Sequence, residues 1–306
     1  MIGINIFNNL INKLFLIGIF FLPSAPAIAT IFLLISAVCS FTKNLKEILS
    51  EKLNLIFIFC IVMLPFISLN HSENIIPLNG NWDKSLTWIG LSNWIPLIFC
   101  FLSFQELLKS AEERKLICKA LIAGSFPLIL SGFAQYFLKL HGPYEFLNGF
   151  IIWFQRPINP DTGLTSVFNN QNYAGAWFCI IWPFCLASFL SESKKRINKY
   201  ISISFLISVT VVLILTTSRN AWGGMILLIP LMTGISSLYW LLPLIIIFFI
   251  LISLTVGSIL PYDLQLFFQN ILPEKFWQEF IPENFLYRES RLGIWYQAIQ
   301  FITKKP

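Results

Sequence analysis

The run "YWLLPLIIIFFILISLTVGSIL", residues 239–260, contains no charged residue and decides the fold class. About 20 apolar residues, rising 1.5 Å each, cross a hydrocarbon layer about 30 Å thick. This run is long enough, and its apolar residues form one block without alternation. It therefore reads as a transmembrane helix and not as a barrel strand. Working outward, runs of the same kind occupy residues 5–22, 26–42, 53–69, 87–106, 116–138, 173–190, 200–217 and 221–237. The expected architecture is all-α, a polytopic membrane protein with about nine transmembrane helices in residues 1–260. Outward loops are expected at 70–86 and 139–172. Residues 261–306 are expected to start a periplasmic loop with amphipathic, interfacial helices.

Composition agrees with that reading. Hydrophobic residues make up 56% of the 306-residue chain and charged residues 12%, against about 25% charged in a soluble domain. Mean hydropathy is +0.73. A soluble enzyme, a disordered chain and a disulfide-stapled secreted domain are excluded. The six cysteines lie in or beside apolar runs, read as small buried hydrophobes, and match no zinc-ligand spacing.

The net charge of +6 reads as loop orientation in a membrane, not as nucleic-acid binding. Lys13, the Lys43–Lys52 and Lys109–Lys119 clusters and "SESKKRINKY" (191–200) fall on one side of the spans. Only Lys84, Lys139, Arg156 and Arg219 fall in the short loops opposite. This asymmetry puts the N-terminus in the cytoplasm. "PSAPAIA" offers the small residues of a signal-peptide cleavage site, yet the next apolar run continues to residue 41. A retained first hairpin turning at Pro23–Pro26 is expected instead.

Three outward segments carry candidate chemistry. In "LTTSRNAWGG" (215–224), Arg219 falls at an outer span end, where topology does not require a cation. It reads either as a clamp on phosphate oxygens or as an Arg that snorkels to lipid head groups. In "GLTSVFNNQNYAGAWF" (163–178), Asn169–Asn172 form an amide cluster that suits sugar hydroxyls or pyrophosphate oxygens, and equally a helix cap. In "YRESRLGIW" (287–295), Arg288 and Arg291 share one face if helical, and Leu292, Trp295, Tyr296 and Ile299 continue at helical spacing. His71 and His141, both in outward loops, read as general bases or as solvated residues. The outward loops hold no D-x-D pair of the kind that binds a divalent ion, and the chain has no phosphate-binding Gly-rich loop.

These motifs resemble the O-antigen ligase family, bacterial membrane proteins that include O-antigen ligases, polymerases and cyanobacterial relatives once described as bicarbonate transporters. The family pattern G-x-F-x-N-P-N-x-x-A is similar to "SVFNNQNYAG", where Phe168, Asn170, Asn172 and Gly175 fit. Ser166 stands for the Gly and Gln171 for the Pro. The pattern (T/S)-x-S-R-(G/N)-(A/S)-W is similar to "TTSRNAW", with Arg219 and Trp222 in place. The pattern R-x-x-x-W-x-x-A is met by Arg291, Trp295 and Ala298.

The resemblance implies a glycan transferase of the bacterial inner membrane that works without metal or cofactor. Its donor is a glycan on undecaprenyl pyrophosphate, its acceptor a hydroxyl of a lipid or glycan, and its surroundings membrane lipids. Arg219 and Arg291 are expected to clamp the pyrophosphate, with Arg288 in support, while Asn170 and Asn172 shape the mouth. The chain stops at Lys304-Lys305-Pro306, where family members continue into a large loop with a required histidine and further spans. The general base is therefore expected beyond residue 306. The alternatives are a small-anion (bicarbonate) transporter and an inactive or split fragment of the family.

Overall fold

A computed structural model describes residues 2–74, 85–159, 162–191, 196–256, 261–271 and 291–304. The chain is 81% helical and all-α in class. Six helical segments are long and apolar enough to cross a membrane: Pro26–Lys43, Lys52–Leu69, Ala111–Phe137, Gln171–Leu190, Ile197–Leu215 and Ile235–Val256. The protein is thus an integral membrane protein by the length and composition of its helices. The expected spans at 5–22, 87–106 and 221–237 also fall on apolar helices. Their described apolar stretches, Asn9–Phe21 and Trp88–Phe104, are shorter, and the third helix covers only Arg219–Thr233. Six spans, and not nine, are therefore established among the described residues.

The chain divides into two compact units, Met1–Met225 and Ile226–Pro306. The first opens with α1 (Ile2–Phe21) and α2 (Pro26–Lys43), joined at the expected Pro23–Pro26 turn. Pro26 stands in the first turn of α2, where its missing N–H costs nothing. Gly18 lets α1 approach the Leu33 side chain of α2. The Ser36 hydroxyl donates to the Ile11 carbonyl at 3.2 Å. After the short α3 (Leu45–Ser50), α4 (Lys52–Asn74) and α5 (Ser85–Phe104) pair through the Phe57 and Phe101 rings. Most of the expected 70–86 loop, residues 75–84, lies outside the described residues.

Polar side chains buried between these helices satisfy one another. Asn54 and Gln105 exchange two amide hydrogen bonds, at 3.0 and 2.8 Å, and Asn54 also donates to the Ile48 carbonyl at 3.1 Å. An unpaired amide there would cost about 1–3 kcal/mol.

The span expected at 116–138 begins earlier and is two helices. The α6 helix (Ala111–Gly124) starts in a capping box, in which the Ser110 hydroxyl accepts from the Glu113 N–H and Glu113 accepts from the Ser110 N–H. The α7 helix (Phe126–Phe137) follows Ser125, and Pro127 removes a donor just where the two meet. Beyond α7, the expected 139–172 loop contains a two-stranded antiparallel hairpin. Its strands are β1 (Tyr144–Phe146) and β2 (Ile151–Trp153), with Tyr144 opposite Trp153.

The α8 helix (Gln171–Ser191) and α9 (Arg196–Leu215) pack along each other, and α10 (Arg219–Thr233) starts after a tight turn. In the second unit, α11 (Leu238–Val256) packs on α12 (Tyr262–Ile271), and α13 (Arg291–Lys304) is the expected helix at 290 onward. Trp295, Tyr296 and Ile299 of α13 are well exposed, as are Ile246, Phe249 and Ile250 of α11. Apolar side chains outward and a few small or polar ones inward is the pattern of helices solvated by lipid. The cysteines depart from expectation: only Cys185 is buried, Cys39, Cys100, Cys118 and Cys179 are partly exposed, and Cys60 is exposed on the apolar surface of α4.

Candidate functional site

The amide-rich and the Arg-containing motifs come together at one end of the first unit. Asn170 precedes α8 and caps it. Its Oδ1 accepts from the Asn172 N–H at 2.7 Å, while its carbonyl accepts from Tyr173 and Ala174. The capping reading of Asn170 is thus realised. Asn172, the second residue of α8, accepts at Oδ1 from the Ser218 hydroxyl at 3.0 Å. Ser218 is buried and sits between α9 and α10, directly before Arg219. A second link has the Leu164 N–H donating to the Leu215 carbonyl at 2.9 Å. The Gly163 N–H donates to the Gln171 side chain.

Two glycines permit this closeness. A Cβ on Gly163 would run into the Thr216 carbonyl. One on Gly175 would stand 2.6 Å from Ser218 Cβ and 3.0 Å from Ala221 Cβ. The turn itself is strained. Thr217 has φ of 53°, a left-handed conformation that disfavours a β-branched residue, and the Thr216 hydroxyl supports it by accepting from the Ser218 N–H at 3.3 Å.

Gln135 of α7 holds the preceding segment. Its Oε1 accepts from the Thr165 and Ser166 N–H groups at 3.1 and 2.8 Å. Its Nε2 donates to the Arg156 carbonyl at 2.5 Å and to the Thr165 hydroxyl at 3.0 Å. Every polar capacity of this buried amide is used. The Trp153 indole donates to the Ser24 carbonyl at 2.8 Å, which ties the hairpin to the α1–α2 turn. Segments that the charge pattern assigns to a common side of the membrane therefore meet at one end of the helices.

Within this assembly lies an open cleft of about 300 Å³. Asn169, Asn170, Gln171 and Asn172 line one part of it, and Arg156, Asn159, Thr162 and Thr165 another. No carboxylate belongs to the described lining. Amides, hydroxyls and one guanidinium suit a polyoxygenated, anionic or sugar-bearing ligand. The Arg156 guanidinium has no ion-pair or hydrogen-bond partner among the described residues. Arg219 is exposed and lies outside the lining, one residue beyond Ser218.

Sequence reasoning missed Arg156, Thr165 and Gln135. Arg156 carried a usable signal, since it breaks the charge asymmetry just as Arg219 does. Gln135 carried none, because a glutamine within an apolar run reads as packing. Of the remaining candidates, Arg291 opens α13 in the other unit, and Arg288 lies outside the described residues. His141 is exposed, with Nδ1 3.2 Å from the Lys139 carbonyl. His71 lies in the last turns of α4, with a side chain outside the described set. Among the described residues no group of three His, Cys, Asp or Glu could hold a metal ion. No protein-family model, curated protein or solved structure matches the chain.

Proposed function

We propose that this chain binds the donor in an O-antigen ligase-like glycan transfer. A glycan would move from undecaprenyl pyrophosphate to an acceptor hydroxyl on the periplasmic face of a bacterial inner membrane. The finer topology of the proposal is nine spans with a cytoplasmic N-terminus. The supporting observation is the 3.0 Å hydrogen bond from Ser218 to Asn172, which joins two of the three motifs that carry the resemblance.

The acceptor oxygen attacks the anomeric carbon of the donor sugar, and the bond from that carbon to the pyrophosphate oxygen breaks. The electron pair leaves on the pyrophosphate, and the acceptor proton passes to a general base. Arg219 neutralises the growing charge without metal, a role the resemblance also assigns to Arg291. Asn170 and Asn172 fix the entrance, with α8 capped by one and the Arg219 turn held by the other. The spans are nearly free of charge away from their ends, which favours this reading over ion-coupled transport.

The test replaces Arg219 with Ala in the living cell. Transfer is expected to fall by about 10²–10³-fold, with lipid-linked glycan accumulating. Wild-type levels of lipid-linked glycan in Arg219→Ala would refute the clamp.

A further inference from the structure

Toward the far end of α8 and α9, about 20 Å along the axis from the amide cleft, a second crevice of about 310 Å³ opens between three helices. Lys119 and Ile122 reach it from α6, Cys185 from α8, and Asn198, Ile201 and Phe205 from α9. The three α9 positions are spaced i, i+3 and i+7, so they share one helix face. Cys185 is buried and Phe205 half-buried, whereas Lys119 is exposed at the rim. The crevice is therefore amphiphilic, with a cation and an amide near its opening and an apolar wall below.

Charge narrows the choice of occupant. Lys119 has no ion-pair or hydrogen-bond partner among the described residues, and no Asp or Glu lines the crevice. Lys199, the residue after Asn198, is also exposed and adds to the positive field. A choline head group would bring a second cation to this field, and a free phosphate would leave the apolar wall unused. Basic pockets between transmembrane helices suit acidic lipid head groups.

We propose that this crevice is a binding site for one acidic phospholipid. The phosphate lies against Lys119 Nζ and the Asn198 amide, and the upper part of one acyl chain lies along Ile122, Ile201 and Phe205. The site is independent of the amide cleft and of the glycan-transfer reading.

The test uses the full chain purified in non-ionic detergent and titrated with phosphatidylglycerol or with phosphatidylcholine of the same acyl chains. Native mass spectrometry counts the lipids retained. The wild type is expected to keep one phosphatidylglycerol with at least about fivefold preference. Lys119→Ala should abolish the preference and Lys119→Arg should keep it. Ser202 also lines the crevice, and Ser202→Phe, which fills it, should expel the lipid with Lys119 still present. Equal retention of both lipids by the wild type would overturn the proposal. So would a preference unchanged by Lys119→Ala, which would move the effect to Lys199. Competition by glycerol phosphate as strong as by the whole lipid would show that the apolar wall plays no part, and would also overturn it.

Discussion

Individual side chains set the geometry of the amide cleft. Gln135 accepts from two buried N–H groups and donates to two oxygens. Replacing it with Leu would leave the Thr165 and Ser166 N–H groups without an acceptor. Gln135→Leu should lower stability by about 2–4 kcal/mol, read as a loss of thermal stability in detergent. Thr217 makes a different prediction. A non-Gly residue in the left-handed region costs about 1–2 kcal/mol, so Thr217→Gly should stabilise the turn. If the strain serves to aim Arg219, the same variant should weaken donor binding. A variant that is stabilised and binds donor like the wild type would make Thr217 only a local defect. The roles of Asn170 and Asn172 were partly legible, because an Asn before a helical run reads as a cap. The 46-residue reach from Asn172 to Ser218 was not, because neither residue carries a sign of its partner.

At the scale of elements, α8 and the start of α10 meet through Gly175, which has no room for a larger residue. Gly175→Leu should separate the two motifs, lowering both stability and donor binding, whereas Gly223→Ala should do neither, since nothing lies within 4 Å of a Cβ there. Thermal unfolding of both variants in detergent checks this. The helices themselves were readable because each apolar run must satisfy its own backbone in lipid. Their ends were less readable. The α6–α7 break at Ser125 hides in a continuous apolar run, and only Pro127 marks it. The hairpin at 144–153 has strands of only three residues each, too short for an alternating pattern to show. Its turn did carry a signal, since Asn148-Gly149 adopts the positive φ angles that tight hairpins need.

For the whole molecule, the charge pattern and the packing agree on one point. The α1–α2 turn, the hairpin, the amide motif and the Thr217 turn gather at a common end of the first unit. With a cytoplasmic N-terminus, a cysteine at Asn159 should react with a membrane-impermeant maleimide added outside intact cells. One at Lys46 should react only after permeabilisation. Both belong in a background lacking Cys60, which is itself exposed on an apolar helix. The reverse labelling would invert the topology and place the amide cleft away from the proposed donor. Direct binding tests, without requiring turnover, whether the joined motifs hold a polyprenyl-pyrophosphate glycan as proposed. Labelled undecaprenyl-pyrophosphate glycan should bind the purified chain saturably and lose at least about tenfold in affinity in Arg219→Ala, with Arg219→Lys in between. Binding that is absent from the wild type, or equal in all three proteins, would contradict the account.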